Sequence, residues 1–151
     1  MSGICDGRVI IVTGAGGGLG REYALAFGAA GAKVVVNDIN AQSAEKTVAD
    51  IEDTGGEAIA NTQDITNYEQ SASIVSEAIA NFGDLHGVVN NAGICRDRMF
   101  ASMTEEEWDQ VIAVHLKGHF CISSHAVHYW RDQFKQGHKV DARIINTSSG
   151  A

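Results

Sequence analysis

The sequence predicts an α/β protein, a doubly wound parallel sheet with crossover helices of the Rossmann-like kind. Short β-branched runs alternate with longer amphipathic stretches along the whole chain, as βαβ units require. Several of those runs are apolar without alternation, the pattern of strands buried on both faces. A glycine-rich segment separates the first such run from the first amphipathic stretch, where α/β proteins turn from strand into helix. At 151 residues the chain fits a single domain, 1–151, with a sizeable core.

Arg8–Thr13 (RVIIVT) opens the pattern as a buried strand. After the glycine segment a helix is expected from Leu19 to about Ala30, with Tyr23, Ala24, Phe27 and Ala30 at i, i+3/i+4 spacing, and Gly31 stops it. Lys33–Asn37 (KVVVN) is the second strand. Ala41 to about Asp53 reads as a helix with Ala44, Val48 and Ile51 on one face, closed by Gly55-Gly56. Glu57–Asn61 (EAIAN) is a short third strand. Thr66, with Glu69 three residues later, predicts a capping box at the start of the next helix. His86–Asn90 (HGVVN) is the fourth strand. Thr104 and Glu107 predict a second capping box, opening a long helix to about Phe134. Arg143–Thr147 (RIINT) is the fifth strand. Five strands and four helices result, with right-handed crossovers. The fifth strand would lie at an open edge while being as apolar as a central one, so more sheet is expected to follow.

Composition narrows the function classes. A net charge of −8 argues against a nucleic-acid partner, which needs a concentrated basic footprint. No apolar run reaches membrane-spanning length, and the N-terminal MSGICDGRVI lacks signal-peptide order. Cys5, Cys95 and Cys121 are odd in number and form no CxxC pair, which fits reduced thiols and a cytoplasmic setting.

The glycine segment is TGAGGGLG, Thr13–Gly20. Glycines there let the backbone approach a pyrophosphate, and the helix N-terminus offers free N–H groups and a positive dipole end. GxGxxG does not fit, because Gly14 and Gly16 would require glycine where Leu19 stands. No GK[ST] follows, so a P-loop also fails. TGxxxGxG fits, through Thr13, Gly14, Gly18 and Gly20; a tight strand-to-helix turn is the plainer alternative. Asp38 ends the second strand, followed by Ile39. A carboxylate there can accept from adenosine ribose hydroxyls and repels a 2′-phosphate, which favours NAD over NADP, as does Gly17 where a cation could have stood. Alternatively Asp38 caps the following helix. Asp64 and Ile65 follow the third strand at the ligand-binding edge; Asp64 could accept from an adenine amino group, or simply cap the next helix.

Asn90-Asn91-Ala92-Gly93 follows the fourth strand. Taken with TGAGGGLG, Asp38 and Asp64, it resembles the short-chain dehydrogenase/reductase family in order and spacing over essentially the whole chain. The resemblance implies that Gly14, Gly16, Gly17, Gly18, Leu19, Gly20, Asp38, Ile39, Asp64, Ile65, Asn91, Ala92 and Gly93 surround an NAD cofactor. It implies a hydride transfer between a secondary alcohol or ketone and the nicotinamide. It also points to Ser149, in INTSS, as the catalytic serine that hydrogen-bonds the substrate oxygen. The family's YxxxK pair has no counterpart: Tyr23, Tyr68 and Tyr129 are followed four residues on by Phe27, Ala72 and Gln133. The motif is expected beyond this stretch, and the 151 residues alone are expected to be inactive. The family often has asparagine where VHLKGHF has His115, whose backbone would hold a relay water; a side-chain role for His115 stays open.

His115 and His119 share a helix face, but His125 and His128 point elsewhere, so no metal site is expected. A helix face packing on a partner subunit is preferred, since family members commonly pair through this helix into homodimers or homotetramers. The stretch from AGICRDRMF to HLKGHF looks like the hydroxyacyl-CoA dehydrogenase domains of multifunctional β-oxidation enzymes and bacterial dehydrogenases of lipid and steroid metabolism. The substrate would then be a small molecule, possibly CoA-linked. Arg131, Lys135 and Lys139 could face its anionic tail, although a solvated surface loop is the simpler reading. Two alternatives remain: a non-catalytic NAD-binding module, or an epimerase/dehydratase of the family's extended branch, whose TGxxGxxG pattern Gly17 and Gly20 also satisfy.

Overall fold

The computed structural model describes residues 3–149; Met1, Ser2, Gly150 and Ala151, the ends of the expected single domain, lie outside them. Five strands form one parallel sheet: β1 Val9–Thr13, β2 Lys33–Asn37, β3 Glu57–Asn61, β4 Gly87–Asn90 and β5 Arg143–Asn146. Their spatial order is β3-β2-β1-β4-β5. The chain therefore winds outward through β1, β2 and β3, then crosses back to lay β4 and β5 on the other side of β1. That reversal between β1 and β4 opens a crevice at the carboxyl ends of the strands. The expected doubly wound architecture is present, with strand limits within one residue of those read from the sequence.

The apolar runs form the strands because both faces of the sheet are covered. Helices α1 (Gly18–Ala29) and α2 (Ala41–Glu52) cover one face, where Ala24, Ala44 and Ile51 pack on Val12, Val34 and Val36. Helix α3 (Tyr68–Phe82) and the long helix later in the chain cover the other, where Ile74, Val75, Ala78 and Ile122 pack on Val9, Ile11, Val35 and Val88. At about 25 cal/mol per Å2 of apolar surface, these layers supply the main drive to fold.

The outermost turns differ from the sequence pattern in instructive ways. The buried stripe of α1 is Gly20, Ala24 and Gly28, while the expected Tyr23 and Phe27 are only half-buried. Small residues win because α1 lies so close to its neighbours that a Cβ on Gly28 would sit 2.8 Å from Ile51. On α2 the face is Ala44, Thr47 and Ile51, with Val48 half-buried beside it. The cap of α3 is Asn67, whose side chain accepts from the N–H groups of Glu69 and Gln70; the expected capping box at Thr66 does not form. Thr66 instead donates its N–H to Asp64.

The second capping box is formed: Thr104 accepts from the Glu107 N–H, and the Glu107 carboxylate accepts from the Thr104 N–H. It starts α4 (Glu105–Ile112), which continues through a π turn, Ala113–Gly118, into α5 (His119–Lys135). The long helix is thus as expected, apart from a π turn that periodicity does not reveal. The segment after α5 returns at the amino edge of the sheet, where Arg8 pairs with Asp141. Arg131, Lys135 and Lys139 consequently lie, exposed, at the end of the sheet opposite the glycine loop, in keeping with the simpler reading of a solvated surface; Arg131 pairs with Asp132. Strands β3 and β5 are the two edges of the sheet, and on β5 Ile145 is 50% exposed.

Candidate cofactor and active site

Four of the five strands end in a buried polar residue: Thr13 at 0%, Asn37 at 2%, Asn61 at 3% and Asn90 at 0% exposure. This polar row forms the rim on which the site is built. The Asn37 amide donates to Asn61 Oδ1 at 2.8 Å and to the Gln63 carbonyl at 3.0 Å. The Asn90 amide donates to Asn146 Oδ1 at 2.8 Å and Ser123 Oγ at 3.0 Å, tying β4 to β5 and α5.

Thr13 is the hub. Its hydroxyl donates to the Val89 carbonyl (3.3 Å) and accepts from the N–H groups of Asn91 (3.0 Å) and Ala92 (3.1 Å). The Asn91 side chain donates to the Thr13 carbonyl at 3.2 Å, and Thr147 donates to Asn91 Oδ1 at 3.4 Å. The glycine loop and the NNAG segment are therefore locked to each other across the β1/β4 crevice. Thr13 entered the sequence reading only as part of a pattern; its role needed the strand pairing that brings residues 13 and 91 together.

The glycines divide the work. Gly14 turns the chain at φ +64°, and a Cβ there would stand 2.8 Å from Ala92. Gly16 admits the Asp38 carboxylate, which a Cβ would meet at 2.8 Å. Gly20 packs on the Gly14 carbonyl, 2.2 Å from where its own Cβ would lie. At Gly17 and Gly18 nothing comes within 4 Å of an added Cβ. Open space thus lies over the first turn of α1, which has no acidic residue and no side-chain cap, so its N–H groups and positive dipole end face that space. This cradle fits an anionic pyrophosphate. Leu19, 61% exposed, flanks it.

Asp38 does not cap α2; Asn40 does, by accepting from the Ser43 N–H. Asp38 Oδ2 accepts from the Gly16 N–H at 3.0 Å and Oδ1 from the Asn40 N–H at 2.9 Å. A carboxylate has about four acceptor sites, so two remain for a ligand diol. On α1, the Arg21 guanidinium is held by Asp50 (2.7 Å) and Glu22 (2.8 Å). Asp64 neither caps α3 nor points away: its Oδ1 accepts from Thr66, and the residue lines a cavity of about 250 Å3. Asp38, Ile39, Ile65, Ala92 and Gly93 also line it, so the predicted residues from three strand ends share one cavity.

The π turn adds Val114 to that wall. His115, exposed, places Nε2 3.0 Å from the Ile94 nitrogen and 2.8 Å from its carbonyl oxygen. Burial and the neighbouring His115 hold the His119 imidazole below its ordinary pKa, against a hydrogen bond to the Ala92 backbone that raises it. His125 Nε2 lies 2.8 Å from the Tyr68 carbonyl oxygen, so it serves a different contact. Ser149 follows β5 at the same carboxyl edge and is exposed.

The short chain dehydrogenase family matches residues 8–151. The chain is 47% identical over 153 residues to a hydroxyacyl-CoA dehydrogenase of Mycobacterium tuberculosis, covering 97% of this chain and 48% of that protein. It is 44% identical over 155 residues to the peroxisomal multifunctional enzyme type 2 of Mus musculus, covering 97% of this chain and 20% of that protein. The crystal structure of a short chain dehydrogenase from Mycobacterium avium superposes with a TM-score of 0.96 at 53% identity, over 99% of this chain and 56% of that one. The chain thus spans about half or less of the length of these relatives. On sequence and fold together, it belongs to the short-chain dehydrogenase family.

Proposed function

We propose that this chain is the cofactor-binding part of an NAD-dependent dehydrogenase acting on a secondary alcohol, with a 3-hydroxyacyl-CoA as the leading substrate class. The observation that carries the cofactor reading is the open cradle at Gly17 and Gly18, facing a carboxylate at Asp38. The cradle's N–H groups would hold the pyrophosphate, and Asp38 would accept from the ribose hydroxyls while repelling a 2′-phosphate. The cavity lined by Asp64 and Ile65 would take the adenine, and Ala92 and Gly93 would flank the rest. When bound, the nicotinamide supplies the hydride acceptor. Ser149 would donate a hydrogen bond to the substrate oxygen and steady its developing charge.

The family's tyrosine and lysine have no counterpart in these residues, and this chain spans about half or less of the relatives' length. We place that pair in a continuation of the sheet beyond β5, whose apolar edge it would cover. The exposed Trp108, Ile112, Leu116 and Phe120 on the long helix suit a second copy, so a homodimer or homotetramer is the assembly we propose. None of the described helices is long and apolar enough to cross a membrane. The free thiols suit the cytoplasm. The substrate class follows from the names of the relatives above.

Reduced-cofactor formation should be followed with the full-length protein on 3-hydroxyacyl-CoA and on hydroxysteroid substrates, using NAD and NADP. Turnover with NAD on the acyl-CoA is expected, with Asp38→Ala narrowing the preference for NAD about tenfold or more, the worth of roughly one charged contact. An unchanged cofactor preference in that variant would sink the role of Asp38. Turnover only on steroids would overturn the substrate class.

A further inference from the structure

Arg21 is the one basic residue of α1, and it stands near the end of that helix assigned to the cofactor. Its N–H donates to the Gly17 carbonyl at 3.1 Å, so it lies one turn, about 5.4 Å, along the helix from the open space over Gly17. Residues four apart share a helix face, and side chains tilt toward the N-terminus. An extended Arg21 side chain is therefore directed toward Gly17, which offers no side chain to stop it. Gly17 adjoins Gly16, whose N–H donates to Asp38 Oδ2 at 3.0 Å. The way from Arg21 to the carboxylate assigned to the ribose thus runs over two glycines.

The guanidinium goes elsewhere. Nη2 donates to Asp50 Oδ2 at 2.7 Å, and Nη1 donates to Glu22 Oε1 at 2.8 Å. Asp50 belongs to α2, about two turns beyond Ser43 and so on the same face of that helix. That face meets the glycine loop: a Cβ on Gly16 would lie 2.7 Å from Ser43 Cβ. Asp50 is therefore aimed into the seam between α1 and α2, and it draws Arg21 along the seam, away from the loop. Glu22 is the lesser hold, since it is exposed and adjacent residues on a helix do not face each other. Arg21 and Asp50 are both half-buried, so salt screens their pair less than it does an exposed one.

We propose that Asp50 is a positioning residue for cofactor choice: by holding Arg21 in the α1–α2 seam, it keeps a cation out of the ribose end of the site. Asp38 then stays uncompensated, its charge free to repel a 2′-phosphate and its oxygens free to accept from a ribose diol. The inference rests on the reading of the cradle and Asp38 as the cofactor site.

NADH and NADPH binding by the full-length protein, read by cofactor fluorescence, should be compared for wild type, Asp50→Ala, Arg21→Ala and the double variant. Asp50 is half-buried on a helix and alanine is the best helix former, so Asp50→Ala is expected to fold. Releasing Arg21 in Asp50→Ala should raise affinity for NADPH relative to NADH about fivefold, the equivalent of one solvent-exposed ion pair. Arg21→Ala alone should keep the wild-type ratio, because the guanidinium is already withdrawn. The double variant should return to that ratio, since no cation remains to release. Asp50→Glu, which keeps the anion, should hold it as well. A loosened seam would weaken both cofactors together and leave their ratio unmoved. An unchanged ratio in Asp50→Ala, a gain that survives in the double variant, or an equal gain in Asp50→Glu overturns the proposal and leaves the cofactor reading in place. A wild type that binds neither cofactor removes that reading, and this inference with it.

Discussion

Replacing Thr13 by valine removes one oxygen and keeps the shape of the side chain. The hydroxyl makes three bonds at the crevice: to the Val89 carbonyl, from the Asn91 N–H and from the Ala92 N–H. Thr13 and Val89 are buried, while Asn91 and Ala92 are half-buried. A buried intramolecular hydrogen bond is worth about 1 kcal/mol net, and water reaching the two amides recovers about half of each. The expected loss is therefore about 2 kcal/mol. In a chain of this size that lowers the melting temperature by about 4–8 °C. Urea and thermal unfolding of Thr13→Val and Thr13→Ser measure it, and serine, which keeps the hydroxyl, should recover most of the loss. A valine variant within about 0.5 kcal/mol of wild type, inside ordinary surface-substitution scatter, would refute the hub role. Equal losses in valine and serine would move the effect to the methyl group.

The glycine loop offers a contrast between packing and binding. Gly20→Ala would force a methyl to within 2.2 Å of the Gly14 carbonyl and 2.4 Å of the Asn91 amide, so a loss of about 3 kcal/mol is expected in unfolding measurements. Gly17→Ala meets nothing within 4 Å, so stability should hold while NADH affinity falls about tenfold; matching effects from the two variants would contradict the division of roles. At the opposite end of the sheet, burial and then its hydrogen bond to Asp84 push the Tyr129 phenol up to about 12. Its folded-state value is raised, so its contribution is fully present below about pH 10 and lost as pH rises toward 12. Ultraviolet titration should show one late tyrosine, absent in Tyr129→Phe.

Fold and site were legible to different depths, for physical reasons. The strands announced themselves because KVVVN and RVIIVT are apolar on both faces, and only sheets covered on both sides select such runs. Thr104 and Glu107 gave a true capping box because both partners lie within four residues. Thr66 failed on the same logic: Asn67, one residue on, is as good a cap and fits the turn that Asp64 makes. Gly20 and Gly28 hid the α1 stripe, since periodicity counts apolar residues and overlooks small ones that permit close approach. Asp38 and the open cradle could be placed from spacing alone. The linkage of Thr13 to Asn91, and of His115 to Ile94, joins residues 78 and 21 positions apart, and pairwise geometry of that kind is absent from a single sequence.

The polar row at the strand ends has a bearing on how the sheet assembles. A strand buried on both faces carries no inside-outside alternation, so sliding it by one residue against its neighbour exposes nothing apolar. Val34, Val35 and Val36 would pair as comfortably one step away. The ends forbid it: Thr13 stands opposite Asn37, Asn37 opposite Asn61, and Asn90 opposite Asn146. A slip would separate Asn37 from Asn61 and Asn90 from Asn146, stranding amides in the interior at about 1–3 kcal/mol each. The residues that frame the crevice thus also act as an indexing mark, admitting one alignment of an otherwise featureless set of strands.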